Sequence, residues 1–187
     1  MESRTLSPDT ARLTDLIRGC QASERSAQKM LYEQYKGILF KICLRYSHSR
    51  EEAEDLLQEG FVRIFRALPN WQPSGSIEGW MKKIVVNVAL EQHRRNVGKQ
   101  RHEDLTEHNS PDVAPEQLTL INGEELLKMI QALPLGFRTV FNLYAVEGYN
   151  HAEIAEMMHI SEGTSKSQYA RARQQLQIMC QSFLHER

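Results

Sequence analysis

The stretch from Tyr149 to Leu176 constrains the fold more than any other: YNHAEIAEMMHISEGTSKSQYARARQQL reads as two helices joined by a very short turn. Asn150 has the side chain of a helix cap, and Glu153 stands three residues later, where its carboxylate reaches back to the cap N–H. Ile154, Ala155 and Met158 then recur at helical spacing as an inward face. His159 and Ile160 make the turn, and Ser161 caps a second helix that begins at Glu162. Along that helix Ser165, Tyr169, Ala172, Leu176, Met179 and Phe183 follow at alternating steps of four and three, one continuous stripe. The opposite side carries Lys166, Ser167, Ala170, Arg171 and Gln174. Short, cationic and hydrogen-bonding side chains at the exposed start of a second helix suit the reading of duplex DNA. The stretch is therefore a helix-turn-helix candidate, although an ordinary helical hairpin with a solvated outer face shares its pattern.

Charge then limits how such a reader works. The 187 residues carry 23 Lys and Arg against 24 Asp and Glu, a net charge of −1. The balance is uneven: 15 against 12 over residues 1–95 (+3), 2 against 5 over 96–122 (−3), and 6 against 7 over 123–187 (−1). Neutralising phosphates supplies most non-specific DNA affinity, so a chain gripping DNA alone needs a broader basic surface. DNA reading here is expected to be weak without a partner.

Other classes find no support. No apolar run is long enough to span a bilayer, and MESRTLSPDTARLTDL lacks a signal-peptide apolar segment, which points to the cytoplasm. Cys20, Cys43 and Cys180 are scattered and never form a C-x-x-C pair, so they read as thiols of a reducing compartment. The seven His residues form no H-x-x-x-H pair, and no nucleophile–base pair or phosphate loop is seen. Neither an enzyme, a metal site nor a cofactor is expected.

The remainder of the chain reads as helices, with no β-alternation, repeat or low-complexity tract. Leu13, Leu16 and Ile17 belong to a first helix ending near Gly19. Ser23 is expected to cap a second, whose Ala27, Leu31, Tyr35, Ile38 and Ile42 line one face to about Tyr46. Ser49 and Glu52 form an S-x-x-E capping box. The helix after it buries Leu57, Phe61, Ile64, Phe65 and Leu68, and opposite them runs a stripe of Asp55, Gln58, Glu59, Val62 and Arg66. A solvated face explains the charges, but an apolar Val62 within a charged rim also has the make-up of a docking surface.

PNWQPSGS follows as a turn-rich loop with Trp71 in its middle. Ser76 starts a helix to about Arg95, on which Trp80, Lys83, Asn87 and Arg94 fall within one arc. An aromatic, an amide and cations on one face can stack an unpaired base and hold phosphates. Helical periodicity fails over 96–122, NVGKQRHEDLTEHNSPDVAPEQLTLIN, which is expected to be a flexible acidic linker. Leu126, Leu127 and Ile130 then precede a break at Leu133–Pro134. A helix from about Gly136 packs Phe137, Val140, Phe141 and Tyr144, and Gly148 serves as its C-terminal cap. The fold expected is all-α, with helical domains at 1–95 and 123–187 and the linker between them.

Two separate stretches resemble one family. AEDLLQEGFVRIFRAL (53–68) with WMKKIVVNVALEQHRR (80–95), and LPLGFRTVFNLYAVEGYNHAEIAEMMHISEGTSKSQYARARQQL (133–176), are similar to the group-IV, extracytoplasmic-function (ECF) sigma factors of bacterial RNA polymerase. The resemblance spans both domains in the family's order.

It implies a transcription initiation factor that binds core RNA polymerase and reads a minus-35 element as duplex and a minus-10 element as single strand. Asp55, Gln58, Glu59 and Val62 match the stretch docking on the clamp helices of the polymerase largest subunit, and the flap is implied as a second contact. Trp71, Ser74, Trp80, Lys83, Asn87 and Arg94 lie where a flipped minus-10 base is captured; such a base must leave the stack, which favours AT-rich sites. Lys166, Ser167, Gln168, Arg171 and Arg173 occupy the positions facing the minus-35 duplex. The linker would thread toward the active-site channel and RNA exit path, its acids mimicking nucleic acid. An anti-sigma partner is implied as well.

The chain departs from the family pattern at a few places. Ser165 stands where a β-branched apolar residue is usual, which is expected to anchor the recognition helix less firmly. Gln168 replaces a common basic residue and Ala170 a bulky one, so promoter sequence is not carried over. His151 and Ala152 stand where an acidic or small polar residue is usual, a change expected to be harmless. A stand-alone helix-turn-helix regulator and a sigma-like decoy binding an anti-sigma factor are the alternatives. The charge balance weighs against the first, and the retained Lys166, Arg171 and Arg173 against the second.

Overall fold

Side-chain caps decide where several helices begin. Ser49 Oγ accepts from Glu52 N at 3.2 Å, while Glu52 Oε2 accepts from His48 N at 2.8 Å, so the carboxylate reaches one residue further back than the expected box. Asn122 Oδ1 accepts from Glu124 N and Glu125 N, and Glu125 Oε2 accepts from Asn122 N, a complete reciprocal box. Ser76 Oγ accepts from Gly79 N at 3.4 Å.

The computed structural model describes residues 8–73, 75–97 and 122–185. They form α1 (Pro8–Gln21), α2 (Arg25–Tyr46), α3 (Arg50–Ala67) with a 3-10 turn at Leu68–Asn70, and α4 (Ile77–Val97). After these come α5 (Gly123–Ala132), α6 (Leu135–Phe141) running into a π turn at Asn142–Val146, α7 (His151–Met158) and α8 (Glu162–His185). No strand occurs among the described residues. No described helix is long and apolar enough to cross a membrane. The linker expected over 96–122 lies almost wholly outside the described residues, and α4 runs on to Val97.

The contacts divide the chain into one unit of residues 1–43 and 54–88 and another of 44–53 and 89–187, with boundaries inside α2, α3 and α4. In the first unit Leu31, Leu39, Ile64, Leu68, Met81 and Val85 are fully buried. Burying each such side chain contributes about 1.5–3 kcal/mol. Tyr32 packs on Phe61 with ring centroids 4.6 Å apart. Gln21 Nε2 donates to Leu68 O at 3.2 Å and to Trp71 O at 3.1 Å, which ties α1 to the segment after α3.

Two expectations fail in this unit. The first helix ends at Gln21, two residues past Gly19, but Ser23 is a connector rather than a cap, left-handed at φ 61°. Its neighbour Glu24 N donates to Gly19 O at 2.9 Å and closes the turn. Gly19 is needed there for a close approach: a Cβ on it would stand 2.8 Å from Ala27 Cβ. Along α2 the buried stripe steps from Tyr35 to Leu39 and then Ile42, leaving Ile38 40% exposed.

In the second unit Met129, Ile130 and Leu133 pack against Ala172, Leu176 and Cys180, flanked by Phe137, Phe141, Met179 and Phe183. Leu126 is exposed. Leu133 closes α5 and Pro134 opens α6, as a Pro without an N–H permits. Past the π turn, Gly148 takes φ 82°, and Tyr149 N donates back to Leu143 O at 3.0 Å.

Arg138 is fully buried in this unit, an unusual place for a cation. Its Nη1 donates to Ser47 O at 2.9 Å and Gln131 O at 3.1 Å, while Nε and Nη2 make no hydrogen bond. Burial lowers its pKa to about 10. Beside it Asn142 Nδ2 donates to Arg45 O at 2.7 Å, and Arg45 pairs with Glu147 at 2.8 Å. His93 Nδ1 lies 3.4 Å from Thr139 Oγ1, whose own hydrogen goes to Leu135 O at 2.7 Å. The imidazole is buried, and burial first, then Arg138 and Arg94, lowers its pKa to about 4.

Candidate nucleic-acid interface

Local caps set the two helices of the tight turn. Asn150 Oδ1 accepts from Glu153 N at 2.9 Å and Glu153 Oε2 accepts from Asn150 N at 2.8 Å, the full capping box. Helix α7 buries Ile154 and Met158. It ends at His159, which takes φ 56° and is left-handed without being glycine. Ile160 N donates to Ala155 O at 3.0 Å, and Ser161 Oγ accepts from Thr164 N at 2.9 Å to start α8. Turn and caps alike lie at the expected residues.

Helix α8 turns Ser165, Ala172 and Leu176 fully inward and leaves Tyr169, Met179 and Phe183 partly covered. Lys166, Ser167, Arg171 and Arg173 are exposed together on its outer side. Arg171 and Arg173 form no ion pair among the described residues, whereas Lys166 Nζ pairs with Glu162 Oε1 at 2.7 Å. That hydrogen bond, and the charge behind it, hold the Glu162 carboxyl below the usual carboxylate range. Gln168 does not join the exposed row. It is half-buried, and its Oε1 is shielded from solvent without a hydrogen-bond partner.

At the position expected to anchor α8 less firmly, the hydroxyl has a partner. Ser165 is fully buried, and its Oγ lies 3.0 Å from Nδ1 of His151, the first residue of α7. The His151 ring stacks on Tyr144 at 4.3 Å with 13° between planes. The sequence presents His151 only as a departure expected to be harmless; the signal for its role was a polar residue on the inward stripe of α8, since a buried hydroxyl requires a partner.

The second set of candidates lies on α3, α4 and the loop between them. Trp71 and Trp80 are each partly exposed, with ring centroids 6.2 Å apart and planes at 55°. Lys83 and Asn87 are exposed one and two turns further along α4. Arg94 belongs to the other unit, where its Nη1 donates to His159 Nε2 at 3.0 Å. Ser74 lies outside the described residues. On α3, Asp55, Gln58, Glu59 and Val62 are all exposed, and Glu59 pairs with Arg63 at 2.8 Å. Val62 stands 37% exposed among them.

Among the described residues no three His, Cys, Asp or Glu side chains cluster as metal ligands. What the helices present is a cationic, hydrogen-bonding row at the N-terminal part of α8, a pair of indoles near an amide and a lysine, and a charged rim around an apolar centre.

Comparison with known proteins gives these surfaces a context. Residues 31–98 match the family model for Sigma-70 region 2, and residues 123–176 match that for Sigma-70, region 4. The chain is 36% identical over 152 residues to the ECF RNA polymerase sigma factor SigE of Mycolicibacterium smegmatis, covering 78% of this chain and 58% of that protein. It is 26% identical to the RNA polymerase sigma-H factor of Pseudomonas aeruginosa, over 91% of this chain and 95% of that one. The chain thus spans less than two thirds of the first relative's length and nearly all of the second's. In fold it is similar to the sigma factor RpoE of Bartonella quintana, solved with the anti-sigma factor NepR. The TM-score is 0.50 at 19% identity, covering 82% of this chain and 96% of that one.

Proposed function

Because the chain belongs to the extracytoplasmic-function branch of the sigma-70 family of RNA polymerase sigma factors, we propose that it directs core polymerase to promoters through two separate readers. Helix α8 reads the minus-35 duplex with Lys166, Ser167, Arg171 and Arg173, and Gln168 acts from the edge of that row. The α3–α4 region captures the opened minus-10 strand with Trp71, Ser74, Trp80, Lys83 and Asn87, and Arg94 holds phosphate. Asp55, Gln58, Glu59 and Val62 dock on core polymerase. The functional division follows residues 1–95, 96–122 and 123–187, which the bounds of the two family models support.

One observation carries this reading: the two sigma regions occur in order, and each contains its own exposed candidate row. The near-neutral charge supports it too. With 23 cations against 24 anions the chain lacks the basic surface of an independent DNA binder, so polymerase must hold the readers in register. No bond is made or broken by the chain itself; the work is done by binding energy, in the cytoplasm where the polymerase acts. An anti-sigma factor is the regulatory partner, a reading supported by the complex in which the RpoE neighbour was solved.

Run-off transcription with purified core polymerase on a fragment library tests the proposal. The holoenzyme is expected to initiate at a defined promoter set and the free chain to bind the same duplexes weakly. Tight duplex binding by the free chain without promoter-specific initiation would replace this reading with that of a stand-alone regulator.

A further inference from the structure

From the contact between α7 and α8 we infer that His151 is a positioning residue that sets the rotational register of the recognition helix through its hydrogen bond to Ser165. The inference rests on the reading of α8 as the minus-35 reader. His151 itself touches no DNA in this account; it acts through α8.

A helix wedged by an aliphatic side chain is held by packing, which is non-directional. A hydrogen bond weakens steeply with angle, so it fixes orientation as well as distance. Here the Ser165 hydroxyl is fully buried and meets His151 Nδ1 at 3.0 Å across 14 residues of sequence. The imidazole is itself held: it stacks on Tyr144 at 4.3 Å, and Tyr144 in turn meets Tyr169 at 4.5 Å. Tyr169 lies one turn beyond Ser165 on α8, and His151 faces its ring at 5.8 Å. The ring group and the hydrogen bond thus grip the same side of α8, about 120° round the helix from Arg171. A rotation of about 10° about the helix axis moves a side-chain tip roughly 6 Å from the axis by about 1 Å. Recognition geometry tolerates only about 0.5 Å. The register of α8 therefore decides which bases its outer row can reach.

The grip has two components, and two substitutions separate them. His151→Asn keeps an amide near the position of Nδ1 and removes the ring. His151→Phe keeps the ring and removes the hydrogen-bonding nitrogen. The full chain bound to core polymerase is given a promoter library randomised at minus-35, and selectivity is the ratio of initiation on the wild-type-selected sequence to its single-base variants. His151→Asn is expected to stay within about twofold of wild type and His151→Phe to lose about tenfold in that ratio. With Ser165→Val present, His151→Phe is expected to add no further loss, since the bond is already gone. If His151→Phe lacks a cooperative melt, Ser165→Ala, which deletes only the hydroxyl, takes its place with the same expected loss. Unchanged selectivity in His151→Phe or Ser165→Ala, or equal losses in His151→Asn and His151→Phe, overturns the inference. Should the wild-type holoenzyme select no minus-35 sequence at all, the minus-35 reading falls and this inference with it.

Discussion

Gln168 lies against Gly136: a Cβ added to the glycine would stand 3.3 Å from the glutamine Oε1. The glycine leaves room for the amide to fold back toward α6, so Gln168 reaches less far outward than Arg171, which is exposed one turn further along α8. Arg171→Ala is therefore expected to lower initiation at minus-35-dependent promoters about tenfold or more, the scale of one lost bidentate base contact. Gln168→Ala should change it less than about threefold on the same scale. Run-off transcription on promoters with and without a minus-35 element measures both. A larger loss for Gln168→Ala than for Arg171→Ala would contradict the assignment.

The buried imidazole of His93 makes stability depend on pH in a definite direction. Its pKa falls to about 4 in the folded chain, against about 6.5 for an unfolded histidine. Below about 6.5 the unfolded chain takes up the proton first, so stability is full above that pH and is lost as pH drops toward about 4. Thermal denaturation between pH 7 and pH 4.5 should show this decline. His93→Leu should flatten it in part, because His48 is also shifted downward, chiefly by burial and then by Arg138. An unchanged slope in His93→Leu would refute the assignment.

Val62 is the apolar centre of the exposed rim on α3. Val62→Glu adds a charge at a position that is 37% exposed in the free chain and outside its core, so the melting midpoint should stay within about 2 °C of wild type. Affinity for core polymerase should fall about tenfold or more if this is the centre of a docking surface. Equilibrium binding to fluorescently labelled core reads the effect, and wild-type affinity would move the docking site elsewhere.

The Asn150–Glu153 box is a local device with a calculable worth. Asn150→Ala should cost about 1 kcal/mol, which lowers the melting midpoint by a few degrees. Asn150→Ser should retain most of that stability because serine caps comparably. Differential scanning calorimetry distinguishes them; equal midpoints for the two variants would mean the cap is idle.

Features resting on neighbours in sequence were legible from it. The caps at Ser49, Asn150 and Ser161, the turn at His159 and the inward stripe of α8 each follow from side chains within four residues of one another. Features decided at longer range were not. Arginine reads as a surface residue, yet Arg138 is buried by segments far along the chain. Ser165 read as a weakened anchor because its partner lies 14 residues away. Ile38 and Leu39 are both apolar, and only packing chose between them. The close approach at Gly19 was not legible either, since a pattern cannot show that Ala27 of the next helix stands beside it.

That passage of α1 beside α2 sets a rule for change at both places. A single methyl group fills the gap between residues 19 and 27, and Ala27 supplies it. The two positions therefore compete for one carbon: alanine at 19 needs 27 to give its own up and the Glu24 carboxylate, 3.0 Å from the added Cβ, to swing aside, so the exchange at 19 is not neutral when made first. Homologous chains that carry the pair reversed would have had to cross a less stable intermediate to do so.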